Sequence, residues 1–304
     1  MPARLFLGVG LLAVSGHLVS LAPGGPLVDW SRRQTLGIVV SHAAVGLLGL
    51  GLTRPAWAWL QRRAARGEDL GPRVWALLGA AAAAQGLLII VAPGYARQVI
   101  TREWGLIEPL QFTTYLGTAA LALAHARRRT GDARIVHLTA GAWALIMALE
   151  EVDYLGLLSG VASLAGAPRG RLGGRHLGGL HDLLNIAHGL GALWLVAIGA
   201  AGLLGLGLLA WSLQPARRRR LSAALREIRT GGAGLLGLAA VLMALGELND
   251  IDDRLFAGTG LPTGKFVEEP AELLAALALL GWAARALAGT WAQPVTPARS
   301  DPTA

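Results

Sequence analysis

The sequence predicts an all-α membrane protein, a bundle of about eight transmembrane helices. Hydrophobic residues make up 54% of the chain and its mean hydropathy is +0.51, whereas charged residues make up only 15%. An ordinary soluble domain carries roughly 25% charged residues. In addition, apolar runs of membrane-spanning length recur along the chain, separated by short charged loops. We therefore expect one polytopic helical domain over residues 1–289 and a disordered cytoplasmic tail over residues 290–304.

Each apolar run can cross a hydrocarbon layer of about 30 Å, which a helix of about 20 residues spans. The predicted spans are residues 5–22, 35–53, 73–92, 107–125, 134–153, 183–212, 232–249 and 270–288. The first run also resembles a secretory signal, but Pro23 fits poorly at a cleavage point, so we favour an uncleaved first helix over cleavage of residues 1–24. Segment 55–67 pairs tryptophans with arginines, which is typical of an interfacial stretch.

The charges predict the orientation of the bundle. Segments expected inside hold 18 of the 27 Lys and Arg residues and 5 of the 19 Asp and Glu residues, so most acidic residues lie in segments expected outside. By the positive-inside rule, we expect both termini in the cytoplasm and the acidic segments on the outer face of the membrane. The lipid bilayer is then the expected partner of the arginines, and no nucleic-acid partner is expected.

The chain has no cysteine, which excludes disulfides, thiolate catalysis and cysteine-ligated metal sites. A bound metal would need histidine, carboxylate, amide or backbone ligands. No nucleophile elbow, phosphate-binding loop or dinucleotide fingerprint is present.

Helix direction distinguishes two groups of carboxylates. Glu108 and the group around Pro270 precede inward-running helices, where capping of the positive helix end explains them. Glu150 and Glu247, in contrast, lie at the ends of outward-running helices, where the helix dipole disfavours a carboxylate by about 0.3–1 kcal/mol. A neighbouring arginine, a bound cation or protonation must offset that cost, and ionisable groups at such positions indicate a functional site.

The spacing of these residues favours convergence on one site. Glu150 and Asp153, like Glu247 and Asp250, are three residues apart and share a helix face. The stretch "GLHDLLNIAH" places His181, Asn185 and His188 on one stripe. Such side chains can ligate a divalent cation or act as general acid and base. His17 and His42 lie towards the same end, although isolated histidines on apolar helices are more often packing residues with a hydrogen bond.

The predicted catalytic residues are Glu150, Glu151, His181 and Glu247, and the predicted metal ligands are Glu151, His181, His188, Glu247 and Asp250. The predicted supporting residues are Glu103, Glu108, Asp153, Asp182, Asn185, Glu268, Glu269 and Glu272. The cofactor itself is not specified beyond a candidate divalent cation.

Four short motifs occur in order along residues 100–288: "REWGLIE", "LEEVDYLG", "GLHDLLN" and "EEPAE". With them the chain resembles a family of uncharacterised bacterial multi-pass membrane proteins that carry RE-x-G-x-x-E, LEE-x-SWGQ, NLHN and EE-x-x-E motifs. The resemblance implies a site at these residues and names no reaction. Residues 153–156 replace the family's SWGQ, and Asp182 replaces its asparagine; if the family uses that glutamine and asparagine, this chain binds a different ligand or has lost an activity.

Three functions are compatible with this pattern. The leading hypothesis is a metal- or acid/base-assisted enzyme acting on a lipid-linked or periplasmic small-molecule substrate. The alternatives are a cation- or proton-coupled transporter component and a structural or assembly subunit whose charges only order the helix ends. A transporter requires polar groups that continue to mid-membrane, and the spans offer few besides Gln85, Thr113, Thr114 and histidines.

Overall fold

The computed structural model describes residues 2–20, 34–100, 105–150, 171–172, 175–176, 203, 215–230, 232–251 and 265–292, which are almost entirely helical. The helices are α1 (Pro2–Ser20), α2 (Gln34–Ala65), α3 (Gly71–Val91), α4 (Pro93–Ile100), α5 (Ile107–Ala126), α6 (Gly131–Glu150), α7 (Pro215–Thr230), α8 (Ala233–Ile251) and α9 (Lys265–Ala292). Two-residue strands β1 (Arg171–Leu172) and β2 (Arg175–His176) pair antiparallel, with Arg171 opposite His176. The described fold is all-α apart from this short pairing.

Helix α9 forms the centre of the bundle. It packs against α2, α3, α4, α5, α7 and α8. Of the residues in its most apolar stretch 61% are buried, compared with 11% in α3 and 22% in α6. Trp282 and Leu287 are almost fully buried in the clusters that join α9 to its neighbours. Alanines fill much of the remaining interface, and small side chains of this kind allow close helix approach.

The directions of the helices follow from the contacts of α9. Leu273 packs with Ile107, and Ala276 packs with Tyr115, so α5 runs parallel to α9. Val74 of α3 lies beside Gly281, near the end of α9 where α3 begins, so α3 runs antiparallel to α9. The same reasoning makes α8 antiparallel to α9, because Gly246 lies beside Glu272.

Two ends of the bundle can now be distinguished. We call the end where α5 and α9 begin and α6 and α8 end the acidic end. We call the opposite end, which holds the loop between α2 and α3 and the turn between α5 and α6, the basic end. Helices α3, α6 and α8 run towards the acidic end, whereas α5 and α9 run away from it; the predicted span 183–212 lies outside the described residues.

Three helices in the described part are long and apolar enough to cross a membrane, namely Gly71–Val91, Gly131–Leu149 and Phe266–Gly289. Two shorter apolar helices, Arg4–Val19 and Ala233–Gly246, accompany them. On α3, Leu77, Leu87 and Ile90 are largely exposed on the outside of the bundle. Apolar side chains in that position are suited to contact with lipid, and these features are those of a membrane protein.

Several element bounds differ from the sequence prediction. Helix α2 continues through Pro55 to Ala65, so the predicted interfacial stretch is part of the same helix, because Leu60 and Ala64 are buried against Leu287 and Ala288. Helix α9 begins five residues before Pro270 and continues to Ala292, past the predicted boundary at 289. The loops predicted around 93–106 and 213–231 contain the additional helices α4 and α7.

Ion pairs hold the loop at the basic end. Glu68 pairs with Arg63, with Arg66 at 2.6 Å and with Arg73 at 3.2 Å, and Asp69 pairs with Arg285 of α9 at 3.0 Å. Hydrogen bonds from Arg66 and then Arg63 lower the pKa of the Glu68 carboxyl from its ordinary value of 4.5. The link from Asp69 to Arg285 ties this loop to the central helix.

Helices α1 and α2 cross at glycines. A Cβ atom at Gly51 would overlap the backbone of Leu7, and one at Gly10 would overlap the backbone of Leu48. Backbone cannot move aside as a flexible side chain can, so these two positions require glycine for the observed approach.

We expect Gly51→Ala to lower the Tm of the protein, because the added methyl group separates α1 from α2. The matched control is Gly46→Ala in the same helix, where a Cβ meets no atom within 4 Å. Alanine is favoured over glycine in a helix by about 1 kcal/mol, so the control should leave Tm unchanged or raise it. Equal effects of the two substitutions in a thermal unfolding assay would contradict the close crossing.

Candidate functional site

The acidic end collects the ends of four helices. Helix α5 begins at Ile107 and α9 at Lys265, whereas α6 ends at Glu150 and α8 at Ile251. Ala148, in the last turn of α6, packs with Tyr115 and Ala276, which lie in the third turns of α5 and α9, so α6 ends towards the end of the bundle where α5 and α9 begin. The chain therefore brings residues that are far apart in sequence to one end of the bundle.

Gln111 joins α5 to α9 at this end of the bundle. It is fully buried on α5, and its Nε2 donates a hydrogen bond to the backbone carbonyl of Glu269 at 3.1 Å. The same Nε2 lies 3.4 Å from the Oε2 of Glu272. One amide thus contacts both the backbone and a carboxylate of α9. These contacts fix the position of α5 along the axis of α9.

Glu272 also reaches α8. A Cβ atom at Gly246 would lie 2.9 Å from the Cγ of Glu272 and 3.0 Å from its Oε1, so this glycine leaves room for the carboxylate. Glu247 follows Gly246 in the last turns of α8. Glu272 therefore lies between α5 and α8, next to the backbone of a predicted site residue.

The other described carboxylates lie in the first turns of α5 and α9. Glu108 is the second residue of α5 and is half-buried; Glu268 is the fourth residue of α9 and is also half-buried. Glu269 is only 3% exposed. Carboxylates in a first turn are stabilised by the positive end of the helix dipole, as the sequence predicted for this group.

Histidines and a tyrosine support the same end. The Nε2 of His17 lies 3.3 Å from the carbonyl oxygen of Gly105, two residues before α5 begins, and the hydroxyl of Tyr95 donates to the carbonyl of Leu18 at 2.9 Å. The ring of His42 packs edge-on against Phe112, with centroids 5.5 Å apart. His17 has the hydrogen bond expected of a packing histidine, and His42 contacts Phe112, the residue that follows Gln111.

The structure describes only part of the predicted site. Glu108, Glu268, Glu269 and Glu272 are placed at the acidic end as described above. For Glu150, Glu247 and Asp250 the structure describes the backbone, which lies in the last turns of α6 and α8 at the same end. The remaining predicted residues lie outside the described residues: Glu103, Glu151, Asp153, Asp182, Asn185, His181 and His188.

Within the described side chains, no group of three or more histidine and carboxylate residues has a geometry that could hold a metal ion. The carboxylate of Glu272 contacts the amide of Gln111 and lies beside the backbone of Gly246. The predicted metal ligands Glu151, His181, His188, Glu247 and Asp250 have no described side chain, and the metal site stays a prediction.

Sequence reasoning missed Gln111 and a second polar cluster at the basic end. The rings of His125 and His137 stack with centroids 3.7 Å apart, and His137 stacks on Trp282 at 5.2 Å. The Nε of Arg129 donates to the Nε2 of His125 at 3.1 Å. A sequence signal existed for Gln111, which follows Glu108 by three residues on the same helix face. The histidine stack forms between α5 and α6, and no pattern within one stretch of the sequence indicated it.

Comparison of the chain with protein-family profiles, with curated proteins and with solved structures gave no match. The interpretation of the site therefore depends on its own geometry.

We expect Gln111→Leu to lower the free energy of unfolding by about 1–3 kcal/mol, because the carboxylate of Glu272 and the carbonyl of Glu269 lose a buried donor. The control is Gln85→Leu on α3. Gln85 is also buried, and its amide has no hydrogen-bond partner in the part of the chain that the structure describes. Denaturant unfolding in detergent micelles compares the two; a Gln85→Leu variant as unstable as Gln111→Leu would argue against the assigned bonds.

Proposed function

We propose that the chain is a multi-pass protein of the bacterial inner membrane, with both termini in the cytoplasm and the acidic end facing the periplasm. In this proposal the acidic end binds a divalent cation and supports metal- or acid/base-assisted chemistry on a lipid-linked or periplasmic substrate. The family resemblance of the four motifs supports the same location for the site.

The observation that carries this proposal is that α5, α6, α8 and α9 each begin or end at the acidic end, where Gln111 joins α5 to α9. Helices α5 and α9 begin there with carboxylates that the helix dipole stabilises. Helix α6 ends there at Glu150, and the last turns of α8 there contain Glu247 and Asp250. A carboxylate at a helix C-terminus is disfavoured by about 0.3–1 kcal/mol, and desolvation adds to this cost. A cation shared among oxygen ligands would offset both contributions.

The chemistry of the donors decides which cation fits. Carboxylate and amide oxygens suit calcium, magnesium or manganese, and addition of the predicted imidazoles favours manganese or zinc. A cation with an open coordination position can activate water for attack on a substrate held at headgroup depth. Glu272, between α5 and α8, is the described carboxylate best placed to take part.

A second candidate, a cation- or proton-coupled transporter component, is favoured by one observation. The face of α5 that packs into the bundle carries Gln111, Tyr115, Thr118 and His125, each no more than 1% exposed. At a rise of about 1.5 Å per residue, this polar face extends over about 21 Å from the acidic end to the histidine stack. It supplies the polar groups at mid-membrane depth whose scarcity in the sequence argued against transport.

The cation hypothesis is tested by thermal unfolding of purified, metal-stripped protein with added manganese, zinc, magnesium or calcium. We expect one of these cations to stabilise the wild type by about 2.7 kcal/mol at a hundredfold excess over its Kd. We expect Glu272→Gln and Glu247→Gln to abolish the shift. Asp132→Asn, which removes a half-buried carboxylate at the basic end, should retain it.

The same variants separate the alternatives. If no cation shifts the Tm of the wild type, or if Asp132→Asn abolishes the shift as well, the cation site is wrong. Cation- or proton-driven uptake into proteoliposomes that is lost in Glu247→Gln would favour the transporter. If no cation shifts the Tm and no uptake is detected, while Glu272→Gln and Glu247→Gln lower the stability of the protein, the acidic end has a structural role.

A further inference from the structure

Helix α7 (Pro215–Thr230) is a charged element that the proposed site does not use. Six of its 16 residues are arginine and one is glutamate. The four arginines with described side chains are exposed: Arg219, Arg220, Arg226 and Arg229. In the described ranges of the chain, no carboxylate forms an ion pair with these four.

The basic loop between α2 and α3 has a different charge balance. There, Glu68 and Asp69 pair with Arg63, Arg66, Arg73 and Arg285, so much of the positive charge is neutralised within the protein. The four described guanidinium groups of α7 have no such counter-charge among the described residues. Because these four side chains are exposed, an external anion can reach them.

The sequence of α7 is amphipathic. Leu221, Leu225 and Ile228 are separated by four and three residues, so they share one helix face. Leu225 is 51% exposed although it belongs to this apolar face. Exposed leucine beside exposed arginine is the pattern of a helix that lies in the interface of a membrane, with the apolar face towards the acyl chains.

The C-terminal end of α7 is anchored to the bundle. The indole Nε1 of the buried Trp282 donates to the carbonyl of Ile228 at 3.0 Å, and α7 also contacts α6. Gly232, with φ of 93°, then separates α7 from α8. This anchorage keeps the arginines of α7 at the basic end, which is the end expected beside the cytoplasmic leaflet.

We propose that α7 is a binding surface for anionic lipid headgroups of the cytoplasmic leaflet. Guanidinium groups bind phosphate oxygens with paired N–H donors, and arginine stems can lie along the acyl boundary while their charged ends reach the phosphates. Four exposed arginines on an anchored amphipathic helix complement the negative surface potential of that leaflet. The inference requires insertion in a membrane and is independent of the cation site at the acidic end.

The test uses the full chain in nanodiscs of phosphatidylcholine alone or mixed with phosphatidylglycerol. We expect phosphatidylglycerol to slow amide hydrogen exchange over residues 215–230 and to raise Tm, and both effects should decrease with added salt. Substitution of glutamine at Arg219, Arg220, Arg226 and Arg229 together should abolish both effects.

The control variant carries glutamine at four other exposed arginines, Arg54, Arg62, Arg127 and Arg134, and loses the same charge. It should keep the protection of residues 215–230 by phosphatidylglycerol. Equal exchange in the two lipid compositions, or an equal loss in the control variant, would overturn the proposal. Equal protection by inorganic phosphate or RNA added to phosphatidylcholine nanodiscs would also overturn it, since the partner would then be a soluble anion.

Discussion

The burial of α9 among its neighbours is the constraint on which the described structure depends. Helix α9 contacts both the parallel helix α5 and the antiparallel helices α3 and α8. Its alanines permit close approach, and Trp282 and Leu287 fill the wider gaps. In a bilayer, where apolar lipid competes with apolar protein surface, such packing and a few interhelical hydrogen bonds determine which helices associate.

This packing gives the two ends of the bundle different polar clusters. The basic end is held by Asp69 and Arg285 and by the stacked rings of His125, His137 and Trp282. The acidic end is held by Gln111, which contacts α9 at Glu269 and Glu272. Helix α9 extends between these two clusters and contributes residues to both.

The sequence predicted the helices whose signal is local. Long apolar runs indicated α1, α3, α5, α6, α8 and α9. It did not predict α4 or α7 as helices, since their sequences are short or strongly charged and their stability depends on docking. The extension of α2 past Pro55 likewise depends on burial of Leu60 and Ala64 against α9.

In the candidate site, too, the sequence predicted the features with a local signal and missed those that depend on helix packing. That carboxylates would gather at one end followed from helix direction, and Glu108, Glu268, Glu269 and Glu272 lie at that end. The role of Gln111, and the passage of Glu272 between α5 and α8, depend on how three helices pack and have no counterpart in local sequence. The histidine stack joins α5 to α6 and α9 and was invisible for the same reason.

The most direct test of the account is the side of the membrane on which the acidic end lies. Since the chain has no cysteine, single cysteines can be introduced at exposed positions, Gly94 near the acidic end and Arg127 at the basic end. A membrane-impermeant maleimide should label Gly94→Cys in spheroplasts and Arg127→Cys only after lysis. Labelling of Arg127→Cys in intact spheroplasts, with Gly94→Cys protected until lysis, would place the carboxylates in the cytoplasm and contradict a periplasmic site.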